Sequence, residues 1–143
     1  IHRGDPVINE AGLVGKVLEV TKSDAVVTLI TDQSFATGVI AGEGRHFGSI
    51  TPAVGAPGDL LLEPVDTSAN VREGDLVYTA GTIDNRLRSR YPAGILIGTV
   101  SRIDLGEGDL DKRIHVEPAA DLLRLDMVQV LTEPHADLDA DDK

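Results

Sequence analysis

Four histidines, His2, His46, His115 and His135, are the side chains of this 143-residue chain best suited to moving protons near neutral pH. No two of them have the i, i+4 spacing by which one helix face grips a metal, and no cysteine is present to supply a thiolate. Neither G-x-S-x-G, a P-loop, H-E-x-x-H nor a helix-opening G-x-G-x-x-G occurs. Ser49, His46 and Asp59 are a nucleophile, a base and an acid on paper, but nothing local orients them as a set. No catalytic, metal-binding or cofactor-binding residue is therefore assigned. Arg3-Gly4-Asp5 spells an adhesion tripeptide, yet its Gly-Asp belongs to a repeated Gly-Asp-x-Val, which favours a turn. "GEGDLDK" (106–112) gathers acidic groups but lacks EF-hand spacing and reads as a solvated hairpin loop.

One stretch departs from this background. In "NRLRSRYP" (85–92), Arg86, Arg88 and Arg90 alternate, so an extended segment carries all three on one face beside Tyr91. Arginine beside tyrosine is the composition of an interface anchor. A solvated hairpin arm and a partner-docking surface are both consistent with it. On the docking reading, the contact residues are Arg86, Arg88, Arg90, Tyr91 and Ile95.

Composition limits the partners. Thirteen Lys and Arg stand against 24 Asp and Glu, a net charge of −11. Nucleic acid and polybasic membrane-surface roles are excluded on that ground. Four of the aspartates lie in the tail 136–143, and residues 133–143 are expected to form an acidic disordered tail. No apolar run approaches the ~18 residues of a spanning helix. The chain begins at Ile1 rather than methionine and is expected to be a piece of a longer protein.

Positioning falls to strands. Two-residue alternation and short apolar runs predict strands near 5–9, 12–20, 25–31, 36–41, 46–51, 59–63, 76–80, 95–104, 112–117 and 127–132. The only helical candidate is 119–127, a turn or short helix. "GDPVINEAGLVGKVLEV" (4–20) aligns with "GDLVYTAGTIDNRLRSRYPAGILIGTVSRI" (74–103). Glycine inside a strand gives nothing to pack, so Gly15 and Gly98 are expected to mark bends of tightly coiled strands. Gly12, Gly81, Pro92 and Gly94 are expected at the adjoining turns. The fold class is all-β: two small related β-barrels packed together, with at most one short helix. The expected units are 1–62 and 63–132, the second a pseudo-repeat of the first.

The stretches "GLVGKVLEV", "SDAVVTLITD" (23–32), "REGDLVYTAG" (72–81), "YPAGILIGTVSRI" (91–103) and "HVEPAADLLRLDMVQVL" (115–131) occur in the order and spacing of a known family. Over about 4–131 the chain resembles the extracytoplasmic β-domain of the rod shape-determining protein MreC family. Ala80 and Tyr91 stand where that family usually has serine and often has phenylalanine, and "IDNRLRSR" departs from its short glycine-containing linker.

The resemblance implies a non-enzymatic scaffold of the cell-elongation machinery, lying outside the cytoplasmic membrane of a bacterium. It implies docking to a class B penicillin-binding protein, and links to MreD and MreB through parts outside this chain. Self-association and a membrane helix preceding the chain are implied too. The competing readings are a two-barrel hydrolase with an unrecognised site and a module that binds wall polysaccharide.

Overall fold

The computed structural model describes residues 1–53, 58–66, 69–81, 92–104, 113–125 and 127–132. Among the described residues ten strands form where alternation predicts them: β1 Pro6–Ile8, β2 Leu13–Val20, β3 Ala25–Leu29, β4 Thr37–Ala41, β5 His46–Pro52, β6 Leu60–Pro64, β7 Leu76–Thr79, β8 Leu96–Asp104, β9 Arg113–Pro118 and β10 Gln129–Val130. Among the described residues there is no helix; the candidate after Pro118 is a turn, closed by the Arg124 N–H donating to the Asp121 carbonyl. The all-β, barrel-type class holds.

The sheets are arranged as β10-β1-β2-β3 and as a closed barrel, β4-β5-β6-β9-β8-β7. The expected boundary at 62/63 falls within β6. Strands from both sides of that boundary close one barrel, and the four-stranded sheet takes β10 from the far end of the chain. Strand pairing is decided by which edges meet in space, so a sequence repeat need not coincide with a unit of packing.

The two segments of the expected repeat pair in the same register pattern. In β1–β2, Val7 faces Gly15 and the register then slips, so that Ile8 faces Leu13. In β7–β8, Val77 faces Gly98 and the same slip puts Tyr78 opposite Leu96. The following pairs slip again at corresponding places, between Val17 and Glu19 and between Val100 and Arg102. The fourth strand of each copy crosses to the other copy: Ala41 of β4 pairs with Val77, and Val130 of β10 with Val7. The exchange ties the two halves together, and the β5–β6 hairpin is what closes the second copy into a barrel.

Gly15 and Gly98 occupy equivalent places and do the same thing. A Cβ on Gly15 would lie 2.0 Å from the Thr28 carbonyl oxygen, and one on Gly98 would lie 2.0 Å from that of Glu117. The third strand of each meander presses onto the second at this point, and only glycine permits it. The Gly-Asp pairs are equivalent turns. Gly4 and Gly74 hold φ of 90° and 91°, and the Asp5 and Asp75 carboxylates accept from the N–H of His2 and Arg72 at 2.7 and 2.8 Å.

The larger core fills the barrel with Val39, Ile50, Leu60, Val77, Ile97, Ile114 and Val116, and with Phe35 from the β3–β4 connection. Leu13 and Ile30 of the first copy belong to this same cluster. A smaller cluster, Val7, Val14, Val17 and Ala120, lies under the four-stranded sheet, and Leu122 packs against both.

Candidate interaction surface

The connection between β7 and β8 carries the arginine stretch, and its base is built around Thr79. Thr79 is fully buried there. Its hydroxyl donates to the Pro92 carbonyl at 2.6 Å and accepts from the Ile95 N–H at 2.9 Å. Its main chain pairs with Ile95 and Gly94. Gly81 and Gly94, with φ of 77° and 93°, flank this neck. Arg86, Arg88, Arg90 and Tyr91 lie outside the described residues. Ile95 packs against the barrel core and so anchors the neck more than it offers a contact. Gly12 sits where the four-stranded sheet meets the barrel, its α-carbon facing the Leu96 carbonyl.

The barrel wall beside the neck carries a feature that residue-type searching missed. Val39, Ala41, Val77 and Ile50 point inward. Their neighbours in sequence must then point out, and several of these are apolar. Phe47 faces Ile40, Ile40 faces Tyr78, and Tyr78 faces Leu96. Val65 adjoins Phe47 through its N–H, which donates to the Phe47 carbonyl at 2.8 Å. The result is a row, Val65–Phe47–Ile40–Tyr78–Leu96, running across neighbouring chains of the wall. At ~4.8 Å per strand it spans roughly 19 Å. Val65 is 69% exposed, Phe47 48% and Tyr78 36%, and exposed Leu76 stands on the same face two residues from Tyr78. Two of the four aromatic residues of the chain thus face solvent in one line. The signal was present in "HFGSI" and "LVYT", where the inward phase leaves an aromatic outside.

Among the described residues, Ser49, His46 and Asp59 are not brought together as a set. Asp59 is engaged by His115, whose Nδ1 lies 2.6 Å from its Oδ2, and not by His46. The other ring nitrogen of His115 meets the Asp104 carboxylate at 3.0 Å instead of a hydroxyl. Desolvation pushes the Asp104 carboxyl up, but hydrogen bonding and charge from Arg102 and His115 outweigh it and hold the group below the ordinary carboxylate value. Ser49 sits in the wall between Gly38 and Glu63. Among the described residues no group of His, Asp and Glu is arranged to hold a metal. Asp5 of the Arg-Gly-Asp tripeptide is buried, its carboxylate turned onto its own loop. A cleft of about 660 Å³ at the sheet–barrel joint is lined by residues such as Thr31, Pro118, Ala120 and Leu122, with no aromatic ring among its described lining.

The family described as "Rod shape-determining protein MreC, barrel core" matches residues 1–132. The chain belongs to the MreC family. The "Cell shape-determining protein MreC" of Escherichia coli (strain K12) is 32% identical over 125 residues, covering 87% of this chain and 32% of the relative. That of Listeria monocytogenes is 30% identical over 128 residues, covering 87% of this chain and 42% of the relative. The chain therefore spans well under half the length of these curated relatives. The crystal structure of MreC from Pseudomonas aeruginosa superposes with a TM-score of 0.80 at 28% identity, covering 92% of this chain and 81% of that one. A complex between penicillin-binding protein PBP2 and MreC from Helicobacter pylori contains a chain of the same fold, with TM-score 0.66 and 23% identity over 91% of this chain and 79% of that one. The MreC resemblance of the sequence is confirmed at the level of family and fold.

Proposed function

We propose that this chain is the non-enzymatic docking portion of a rod-shape scaffold, and that the apolar wall row is where it holds its partner. The observation that carries this reading is the line Val65–Phe47–Ile40–Tyr78–Leu96 on an otherwise acidic protein. Aromatic side chains dominate protein contacts because they bury much area at little conformational cost. The MreC chain from Helicobacter pylori solved in complex with penicillin-binding protein PBP2 supports a penicillin-binding protein as the partner. The β7–β8 connection, whose described base adjoins Tyr78 and Leu96, carries Arg86, Arg88, Arg90 and Tyr91 in its sequence.

The setting is extracytoplasmic, a reading supported by another solved relative, the major periplasmic domain of an MreC filament. Links to MreB and MreD, and self-association, belong to the longer protein. The test is a calorimetric titration against the extracytoplasmic part of the same organism's class B penicillin-binding protein, with Phe47→Asp and Tyr78→Asp as variants. Micromolar or tighter binding, weakened at least tenfold by either change with the fold intact, is expected. Unchanged affinity in both variants refutes the wall row. No binding of the unaltered protein, with both partners folded, refutes the docking reading.

A further inference from the structure

His115 sits in the middle of β9 and points out of the barrel, yet its side chain is only 7% exposed. Its cross-strand neighbours are Leu61 of β6 and Arg102 of β8. Nδ1 stands 2.6 Å from Asp59 Oδ2, and Nε2 stands 3.0 Å from Asp104 Oδ2. An ionised carboxylate only accepts, so each contact needs a proton on the ring nitrogen, and both together need the imidazolium. Arg102 complicates the second contact. Its Nη2 lies 3.5 Å from the same Nε2, and its Nε lies 3.3 Å from the same Asp104 oxygen. Nε2 thus has an acceptor to face when it carries a proton and a donor to face when it does not.

The place of this cluster in the fold is specific. Asp59 immediately precedes β6 and Asp104 ends β8, so the ring spans the seam β6–β9–β8 at the end of the β8–β9 hairpin. The other charged groups on this outer face are Glu63 on β6 and Arg113 and Glu117 on β9, all exposed. The β8–β9 connection adds Glu107, Asp109, Asp111 and Lys112, outside the described residues. The equivalent position in the first copy is Val26, paired with Glu19 across the same register slip. The meander therefore forms without such a cluster, and the barrel has acquired it.

We propose that His115 is a proton-operated clasp on the barrel seam. With the ring charged, it ties the start of β6 to the end of β8 through Asp59 and Asp104. When Nε2 gives its proton to solvent, the neutral ring keeps Nδ1–H on Asp59, and Nε2 accepts from Arg102 in place of bonding Asp104. The outer end of the β8–β9 hairpin, where Asp104 pairs with Arg113, is then released from β6.

The test is nitrogen NMR of the His115 ring in the intact chain from about pH 5 to about pH 9, the range in which imidazole changes charge. Hydrogen exchange of the Asp104 and Arg113 amides, corrected for intrinsic rates, is followed alongside. Two ring protons are expected at the acid end and the Nδ1–H tautomer at the alkaline end. Protection of the two amides should fall by roughly fivefold, the worth of one net hydrogen bond. Asp104→Ala, at an exposed site that leaves the barrel core untouched, should abolish the pH dependence of protection. An Nε2–H tautomer, a ring whose protonation does not change, or a pH dependence that survives Asp104→Ala overturns the proposal.

Discussion

Replacing Gly98 with alanine tests the architecture at its tightest point. An ideal Cβ there lies 2.0 Å from the Glu117 carbonyl oxygen and 3.1 Å from Pro118 Cα. Both atoms are backbone, so no change of rotamer relieves the contact. A carbon and a carbonyl oxygen rest no closer than ~3.3 Å, so β8 and β9 must separate by roughly 1 Å or more. Separation stretches the ladder around Gly98–Pro118 and Thr99–Glu117. Overpacking of this kind costs ~1–3 kcal/mol, and each weakened ladder bond adds about 1 kcal/mol, giving roughly 3–5 kcal/mol in total.

That loss is a large share of the ~5–15 kcal/mol that holds a domain together. Urea denaturation followed by circular dichroism measures it. Gly15→Ala should cost about as much as Gly98→Ala, because its Cβ meets Thr28 at the same 2.0 Å. Gly74→Ala is the control: its Cβ enters open space, and only the left-handed φ of 91° opposes it, at about 1–2 kcal/mol. If Gly98→Ala and Gly15→Ala both stay within about 1 kcal/mol of the parent at an unchanged slope, far below the overpacking and ladder estimate, the close-approach reasoning is refuted.

Three further outcomes are expected. Thr79→Val removes a buried hydroxyl that both donates to Pro92 and accepts from Ile95; it should lower stability by ~1–3 kcal/mol and loosen exchange protection at Gly94 and Ile95 before the rest of the barrel. Phe35→Ala empties the largest fully buried side chain among the described residues and should cost ~3–5 kcal/mol in thermal or urea unfolding. Asp104 is held below its ordinary value of 3.8, so on the acid side its stabilisation is present above that value and is lost as the pH falls through the folded one. Acid-unfolding curves of Asp104→Asn and the parent should therefore differ near neutrality and converge at the acid end; a constant gap at all pH values contradicts the assignment.

The candidate surface was half legible in the sequence. The arginine arm announces itself by composition, because three arginines stand out from an acidic chain. Phe47 and Tyr78 do not, since an aromatic residue among valines reads as core until the inward phase of its strand is known. Ile95 is the converse case: an apolar residue next to the arm that packs, partly buried, against the barrel core. His115 and its two aspartates are separated by 56 and 11 residues, and no spacing rule connects them.

What the sequence determined by itself is local. Alternation of apolar residues places the strands, the Gly-Asp pairs make the turns, and the repeated glycines mark the slipped registers. These follow from the geometry of a few consecutive residues, which is written in their order. Only the tertiary structure decided which edges join. It exchanged β4 and β10 between the two copies, closed one copy with the β5–β6 hairpin, and set Phe47 beside Ile40 and Tyr78 on one outer face. Strand pairing depends on hydrogen bonds between distant segments and on the shared burial of Leu13 and Ile30 with the barrel core, and no short window of sequence contains those partners.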